Sequence, residues 1–136
     1  MLRMCSGVLA AIGMVTCLSI TAQAVDTTAT LACQGTTLTT TKDEPEPISM
    51  GIIINFTKGT VHGFADPIFP VNVTGVTEVN VVFFGANSAS DWHIRGTLDR
   101  VTGDVEATSI VFDVKTGSIK IQTSYSLKCR PTQRMF

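Results

Sequence analysis

One stretch decides the fold: His93-Ile94-Arg95-Gly96-Thr97-Leu98-Asp99-Arg100-Val101-Thr102-Gly103-Asp104-Val105-Glu106-Ala107-Thr108, in which two alternating segments flank a short connection that ends in glycine. Apolar or small residues occupy one face of the first segment and polar residues the other, which is the period of two of a half-buried strand. The side chain of Asp99 can accept hydrogen bonds from the backbone that follows it, and Gly103 can take a positive φ. The stretch therefore predicts a β-hairpin, and the rest of the chain repeats this scheme.

The first 24 residues have the pattern of a secretory signal peptide. Arg3 precedes an apolar run from Val8 to Ile20, and Ala22-Gln23-Ala24 supplies the small residues of a cleavage site. The run is short for a membrane span, so a signal peptide is favoured over a retained membrane anchor. We therefore predict cleavage between Ala24 and Val25 and a periplasmic or secreted location.

Removal of this segment changes the composition that has to be explained. Residues 25–136 would form a single all-β domain of 112 residues, with nine Lys and Arg against eleven Asp and Glu, a formal charge of −2. A chain of this length buries enough surface for one hydrophobic core. The near-neutral balance, without clusters of basic residues, argues against a nucleic-acid surface, and no cofactor is predicted.

The mature chain contains about eight segments with strand-like sequence. The clearest is Ile48–Thr57, and Lys58-Gly59 after it predicts a two-residue turn that places Phe56 opposite Val61. The return strand of the hairpin, from 104 to 113, changes register and predicts a bulge near Thr108-Ser109. The other predicted strands are Thr27–Cys33, which Thr36–Thr41 could extend, Thr60–Phe64, Val71–Thr74, Thr77–Phe84 and Ser118–Cys129.

Three segments are predicted to lie outside the sheet. Gln34–Glu46 collects polar residues and Pro45, and Arg130–Phe136 contains Pro131, which lacks a backbone donor for a strand ladder. Gly85–Asp91 consists mostly of small residues and predicts a loop before the hairpin.

The strand pattern predicts a small antiparallel barrel in up-and-down order, with a two-sheet β-sandwich as the alternative. The barrel is preferred because a long last strand can pair with the first strand and remove both sheet edges. An outer-membrane barrel is a minor alternative, suggested by the terminal aromatic residue Phe136. Pro131 near the end of the chain and the single Trp and single Tyr oppose it.

Cys33 and Cys129 are the two cysteines that remain after cleavage, and we predict that they form a disulfide. Cys33 ends the first predicted strand and Cys129 ends the last one, both on inward faces. Pairing of these strands, or contact across two sheets, would bring the Cα atoms within the roughly 4.4 to 6.8 Å that a disulfide needs.

The histidines are the first residues to consider for catalysis or metal binding. His62 has Asp66 nearby in sequence, and Asp91 is two residues before His93. Neighbouring strand residues point to opposite faces, two histidines are too few for a typical zinc site, and the G-x-S-x-G motif of a nucleophilic serine is absent. We therefore predict no catalytic residues and no metal site.

Several segments resemble known sequences. The N-terminal segment, Leu31-Ala32-Cys33, Pro45-Glu46-Pro47-Ile48-Ser49-Met50, the Asp99–Gly103 turn and the closing residues from Cys129 to Phe136 together resemble uncharacterised small secreted proteins of alphaproteobacteria, such as those of Bradyrhizobium. The resemblance covers nearly the whole chain and implies a Gram-negative periplasmic address. It carries over no functional residues.

The surplus of apolar strand residues predicts a non-enzymatic binding or envelope-associated domain. Such a domain would hold a small apolar ligand, or would present a sheet face to an envelope partner. The candidate ligand-binding residues are Trp92, Phe83, Phe84 and Tyr125. The alternative is an enzyme or enzyme modulator that uses the loop residues His62 with Asp66 and Asp91 with His93.

Overall fold

Eight antiparallel strands close into a barrel in the computed structural model, which describes residues 27–64 and 71–132. Each strand pairs with its neighbours in sequence, and the last strand pairs with the first. The predicted up-and-down barrel is confirmed, and the sandwich alternative is wrong. The strands are β1 (Thr28–Thr39), β2 (Glu46–Asn55), β3 (Thr60–His62), β4 (Val71–Val76), β5 (Asn80–Asn87), β6 (Trp92–Asp99), β7 (Asp104–Phe112) and β8 (Ile119–Pro131).

Some predictions concern residues outside the described ranges. These are the signal peptide at 1–24 with its cleavage site between Ala24 and Val25, the carboxylate Asp66 and the terminal Phe136.

The hairpin of β6 and β7 forms as its sequence predicts. Asp99 Oδ1 accepts hydrogen bonds from the N–H groups of Thr102 and Val101, each at 2.8 Å. These bonds, that of Thr102 first, lower the pKa of the Asp99 carboxyl below its ordinary value. Gly103 has a φ of +77° and donates its N–H to the Asp99 carbonyl at 2.9 Å. Local hydrogen bonding therefore closes this turn.

The barrel interior is a packed apolar core. Phe64, in the connection after β3, reaches the centre, where its ring stacks on Phe83 with centroids 5.1 Å apart and meets Tyr125 edge-on at 5.5 Å. Gly96 leaves room for this arrangement, because a Cβ there would lie 2.4 Å from the Phe83 ring. The buried residues are Leu31, Cys33, Ile52, Ile54, Val61, Phe64, Val71, Val81, Phe83, Ile94, Leu98, Val105, Ala107, Leu127 and Cys129.

The outward faces of the strands carry charged side chains such as Arg95, Glu106 and Lys128. The outward faces also expose apolar side chains, among them Ile53, Val82 and Phe84. The outer wall therefore has charged and apolar side chains next to each other, as at Phe84 and Arg95, which are opposite each other in β5 and β6.

The predicted loop at Gln34–Glu46 is wrong over much of its length, and the alternative that Thr36–Thr41 extends the first strand is confirmed as far as Thr39. β1 continues to Thr39 and β2 begins at Glu46, so the connection covers only residues 40–45. Its threonines suit a strand, and here they pair on both sides, with β2 and β8, which satisfies their backbone groups. An ion pair of 2.5 Å between Lys42 and Glu46 spans the short connection.

Two prolines lie inside the sheet: Pro47, just before the predicted start of its strand, and Pro131, which was predicted to lie outside it. Pro47 is opposite Thr36, and Pro131 is opposite Leu31, so the prediction that Arg130 and Pro131 lie outside the ladder is wrong. The Phe56 N–H donates to Thr27 O, and the Thr132 N–H donates to Thr30 O, so these are hydrogen-bonded pairs of the two ladders. Hydrogen-bonded and non-hydrogen-bonded pairs alternate along an antiparallel ladder. Counting from these bonds, both prolines fall in non-hydrogen-bonded pairs with β1. Their missing N–H groups therefore cost the β1 ladders nothing.

The turn between β2 and β3 is longer than predicted. Val61 pairs with Ile54 and Thr60 pairs with Asn55, so the predicted opposition of Phe56 and Val61 is wrong. Residues 56–59 form the turn, in which Asn55 Oδ1 accepts the N–H of Lys58 at 2.8 Å and Gly59 has a φ of +63°. The shift is two residues, so Ile54 and Val61 still face the core.

Two further boundaries differ from prediction. The β6–β7 register runs unbroken through Thr108-Ser109, and the shift on the β8 side lies between Val111 and Phe112, so the predicted bulge is misplaced. The bulge was predicted in order to turn Ile110 inward, but Ile110 stays on the outer face, opposite His93. The His93 ring also contacts Phe112, so these outward apolar side chains pack against a neighbour and no bulge is required. β5 also runs on to Asn87, which shortens the predicted loop before β6.

The predicted disulfide between Cys33 and Cys129 is confirmed, with an S–S distance of 2.01 Å across 96 residues of sequence. The two residues are directly opposed in the β1–β8 ladder, and their Cα atoms are 4.0 Å apart. Cys129 donates its N–H to Gly103 O, away from β1, so the cysteines form a non-hydrogen-bonded pair, the closer of the two antiparallel pair types. The bond fastens the seam at which the barrel closes.

Candidate functional site

The four predicted ligand-binding aromatic residues do not share one site. Phe83 is 1% exposed and belongs to the core, while Phe84, its neighbour in β5, is 44% exposed on the outside of the barrel. Trp92 and Tyr125 are half-buried and pack against the core. The structure therefore brings Phe83 and Tyr125 together through Phe64 and separates Phe84 from them.

The two histidines lie on strands that are not neighbours. His62 is exposed on β3, and His93 is exposed on β6 with its ring 6.2 Å from that of Phe84. β4 and β5 lie between them, and three strand spacings of about 4.8 Å amount to about 14 Å. Asp91, in the turn before β6, accepts the Phe112 N–H on its backbone carbonyl. Within the described ranges, no group of three or more His, Cys, Asp and Glu side chains could hold a metal ion.

A cavity of about 190 Å³ with mostly apolar walls lies at one end of the barrel, and we call it the mouth cavity. The ends of β1, β2, β5, β6 and β8 contribute inward apolar side chains to its wall, and the turns after β2 and β6 contribute to its rim. It is lined by Ala29, Leu31, Ile54, Phe56, Val81, Leu98, Asp99, Arg100, Gly103, Cys129 and Pro131.

Small side chains explain why this end is hollow while the centre is filled. Ala29 is opposite Ile54 where β1 begins, and it occupies an inward position that a large side chain would have closed. Cys129 contributes only a disulfide sulfur, and Gly103 contributes no side chain at all. The space that these residues leave has mostly apolar walls.

The rim is held in place by contacts between two turns. The backbone N–H of Arg100 donates to Val79 O at 2.6 Å, and its Nη1 donates to Thr77 O at 2.7 Å. Thr77 Oγ1 in turn accepts the N–H of Asn80 at 2.8 Å, which closes the β4–β5 turn. The β6–β7 turn is thereby fastened to the β4–β5 turn beside the cavity.

The charges of the cavity come from two adjacent residues. The Asp99 carboxylate is engaged by the N–H groups of its own turn, which lower its pKa and keep it ionised. The Arg100 guanidinium has five N–H donors, and its bond to Thr77 uses one of them. Arg100 therefore retains donors that could bind an acidic group at the rim.

A second concave surface lies on the outer wall of the barrel. It is a shallow groove of about 340 Å³ over Gly96 and Ala107, flanked by outward side chains that include Arg95 and Glu106. Glu106 accepts a hydrogen bond from the Ser126 hydroxyl at 2.7 Å. Because this groove is open and its polar groups are solvated, we regard the mouth cavity as the candidate functional site.

Sequence reasoning missed the mouth cavity because its residues come from five strands and two turns. One local signal was present: apolar residues follow the ends of two strands, Phe56 after β2 and Val101 after β6. Turns normally carry polar residues, so apolar residues at turn tips favour a binding surface there.

No helix within residues 27–64 and 71–132 has the length and apolar character needed to cross a membrane. No family model, curated protein or solved structure matches this chain. The functional argument therefore depends on the geometry and chemistry of the mouth cavity.

Proposed function

We propose that this protein is an exported, non-enzymatic binding domain that holds a small apolar ligand with an acidic group in its mouth cavity. The observation that carries the proposal is a cavity of about 190 Å³ with apolar walls and one arginine at its rim. A dry apolar cavity of about 150 Å³ accommodates benzene, so the mouth cavity suits one ring or a short acyl chain. Arg100 would pair with the carboxylate or phosphate of that ligand.

An exported location is supported by the disulfide and by the signal-like N-terminal sequence. Disulfides persist in the periplasm and outside the cell, whereas cytosolic thiols are kept reduced. Cys33 and Cys129 are bonded in the structure, and the resemblance to small secreted alphaproteobacterial proteins points to the same compartment. We propose the Gram-negative periplasm as the site of action.

The chemistry of the cavity supports binding in preference to catalysis. Its two charged side chains among the described residues are Asp99, whose carboxylate is held by its turn, and Arg100, whose guanidinium group is a donor with no acceptor atom. General acid–base catalysis needs a group whose pKa lies near the working pH. A carboxyl group would need a raised pKa to meet this condition, and the pKa of Asp99 is lowered.

The test uses the oxidised mature protein, labelled with ¹⁵N and ¹³C, and titration with hexanoate, hexanol and acetate followed by NMR. We expect hexanoate to shift the methyl signals of Leu31, Ile54 and Val81, because these side chains line or border the cavity. Acetate lacks the apolar chain and should bind much more weakly. Arg100→Gln should weaken hexanoate binding and leave hexanol binding close to that of the wild type.

A cavity-filling pair of variants provides the control. Ala29→Phe fills the mouth cavity and should abolish the hexanoate shifts, whereas Ala86→Phe on the exposed outer face of β5 should retain them. The proposal fails if millimolar hexanoate causes no shifts, or if the shifts map to the outer groove over Gly96. It also fails if Ala29→Phe, shown to be folded by its methyl spectrum, binds hexanoate as the wild type does.

A further inference from the structure

The up-and-down order places alternate connections at opposite ends of the barrel. The β2–β3, β4–β5 and β6–β7 turns therefore lie together at the end that holds the mouth cavity, which we call the mouth end. The start of β1 and the end of β8 lie there as well. The other connections, after β1, β3, β5 and β7, lie at the opposite end.

Each of the three turns at the mouth end exposes an apolar side chain. Phe56 is at the start of the β2–β3 turn, Val79 is in the β4–β5 turn, and Val101 is in the β6–β7 turn with 76% of its surface exposed. Val76 adds a fourth exposed apolar residue at the end of β4. Such residues surround the mouth cavity on a protein whose outer wall carries charged groups.

The fastening of the turns supports a fixed arrangement of these side chains. Arg100 bonds to the β4–β5 turn at both its backbone and its guanidinium group, which holds Val79 and Val101 on neighbouring turns. The β2–β3 turn is tied to β4 by the Val73 N–H, which donates to Gly59 O at 2.8 Å. An apolar surface that is already ordered loses little conformational entropy when it binds.

The two ends of the barrel carry opposite charge. Among the described residues, the mouth end has the four cations Lys58, Arg100, Lys128 and Arg130 and the three acids Glu78, Asp99 and Asp104, a net charge of +1. Lys128 and Asp104 form an ion pair with each other. The opposite end has three lysines and five acids, a net charge of −2; these residues are Lys42, Lys115, Lys120, Asp43, Glu44, Glu46, Asp91 and Asp113. Exposed apolar residues occur at the opposite end as well, at Leu38, Val114 and Ile119. The two ends therefore differ in the sign of their charge, and the mouth end alone combines apolar tips with a net positive charge.

We propose that the mouth end docks on the surface of an anionic phospholipid bilayer. The tips Phe56, Val79 and Val101 enter the headgroup region, and Lys58, Arg100 and Arg130 contact the lipid phosphates. Peripheral proteins bind anionic bilayers by this combination of inserted apolar area and basic charge. The charge at the opposite end orients the barrel with its mouth towards the lipid. This surface goes beyond the proposed ligand and does not require the cavity to be filled.

The test is sedimentation of the oxidised mature protein with phosphatidylcholine vesicles that contain or lack phosphatidylglycerol. We expect binding to the anionic vesicles, with a marked decrease when the salt concentration is raised. Val101→Asp places a negative charge at an inserted tip and should weaken binding about tenfold. Val114→Asp is the matched control, because Val114 is 77% exposed in a turn at the opposite end, and it should bind as the wild type does.

A second pair of variants tests the charge component. Lys58→Gln should weaken vesicle binding about fivefold, and Lys115→Gln at the opposite end should leave it unchanged or slightly stronger. Tryptophan placed at position 101 should show a blue-shifted emission with anionic vesicles, whereas tryptophan at position 114 should not. These four variants change exposed residues, so each is expected to fold.

Three results would overturn the docking proposal. These are failure to bind anionic vesicles, equal binding with and without phosphatidylglycerol, and equal losses in Val101→Asp and Val114→Asp. Hexanoate titration of Val101→Asp without vesicles separates this proposal from the proposed function. If that variant binds hexanoate normally but not vesicles, the docking surface and the cavity are distinct.

Discussion

Replacing Gly96 with alanine would place a methyl group within the space of the Phe83 ring. The new Cβ would lie 2.4 Å from Phe83 Cζ and 2.7 Å from the Cβ of Ala107. Carbon atoms in contact are normally about 3.5–4.0 Å apart, so the ring would have to move by about 1 Å or more. Phe83 is stacked on Phe64 in the centre of the barrel and has little space to move into.

The size of the effect follows from two opposing contributions. Overpacking of a core costs about 1–3 kcal/mol. Replacing glycine with alanine also restricts the unfolded chain, which stabilises the folded state by about 0.4–1 kcal/mol. We therefore expect Gly96→Ala to lower the free energy of unfolding by about 1–2 kcal/mol. Urea unfolding of the oxidised mature protein should show a lower midpoint with an unchanged m-value.

Two further variants decide whether the steric reasoning is right. Gly51→Ala is the matched control, since a Cβ there has its nearest neighbour, Leu31 O, at 3.9 Å, and we expect unchanged or higher stability. Phe83→Leu removes the ring atoms that the new methyl group of Gly96→Ala would meet. The free energy of unfolding of the double variant should therefore be about 1 kcal/mol higher than the sum of the two single effects predicts. Additive effects, or a Gly96→Ala variant as stable as the wild type, would refute the reasoning.

The remaining predictions concern the seam, the hairpin turn and the acid response. Changing both Cys33 and Cys129 to alanine should cost about 4–5 kcal/mol, because the bond closes a loop of nearly 100 residues; denaturant unfolding measures this, and a loss below about 1 kcal/mol would contradict it. Gly103→Val should lower the melting temperature more than Gly59→Val does. Both positions have a positive φ, but a Cβ at position 103 would also lie 2.3 Å from Cys129 O, whereas a Cβ at position 59 would have no atom within 4 Å. Equal melting temperatures of the two variants would show that φ alone matters. Backbone hydrogen bonds lower the pKa of Asp99, so its contribution to stability is present above the unfolded pKa of about 3.9 and is lost as the pH falls through the lowered value. Asp99→Asn retains the acceptor and should lose less stability between pH 5 and pH 2 than the wild type does, and parallel losses would contradict this.

The parts of the fold that could be predicted depend on short-range chemistry. The alternation around Ile94 and the bonds of Asp99 to its own turn require no knowledge of distant residues. Pairing of Cys33 with Cys129 followed from their being the two cysteines that remain if the predicted signal peptide is removed, and the length of β8 indicated that it could close the sheet.

The failures arose where the answer depends on a partner strand. Pro131 was placed outside the sheet and Pro47 was left before the start of its strand, because the effect of a missing N–H depends on which neighbouring strand that nitrogen faces. The β2–β3 turn was wrong by two residues, because a shift of two keeps Ile54 and Val61 on the same face and leaves the hydrophobic pattern unchanged. Alternation determines which face a residue takes, but not which residue lies opposite.

The same distinction explains why the mouth cavity was not predicted. Ala29, Leu98 and Cys129 are far apart in sequence, and closure of the barrel between β1 and β8 brings them to one end. A small residue such as Ala29 has no signature that separates a cavity wall from a tightly packed core. The sequence could indicate the apolar turn tip at Val101, but not the space behind it.

The topology separates the requirements of stability from those of binding. Inward residues of the strands, such as Phe83, form the core, and alternate connections can differ in composition without changing the register of the wall. In this chain, both ends carry an exposed apolar turn tip, Val101 or Val114, but the connections at the end opposite the mouth cavity carry more acids, such as Glu44. Substitutions in the barrel wall should therefore change the free energy of unfolding, whereas substitutions at the turn tips of the mouth end should change binding while the barrel stays folded.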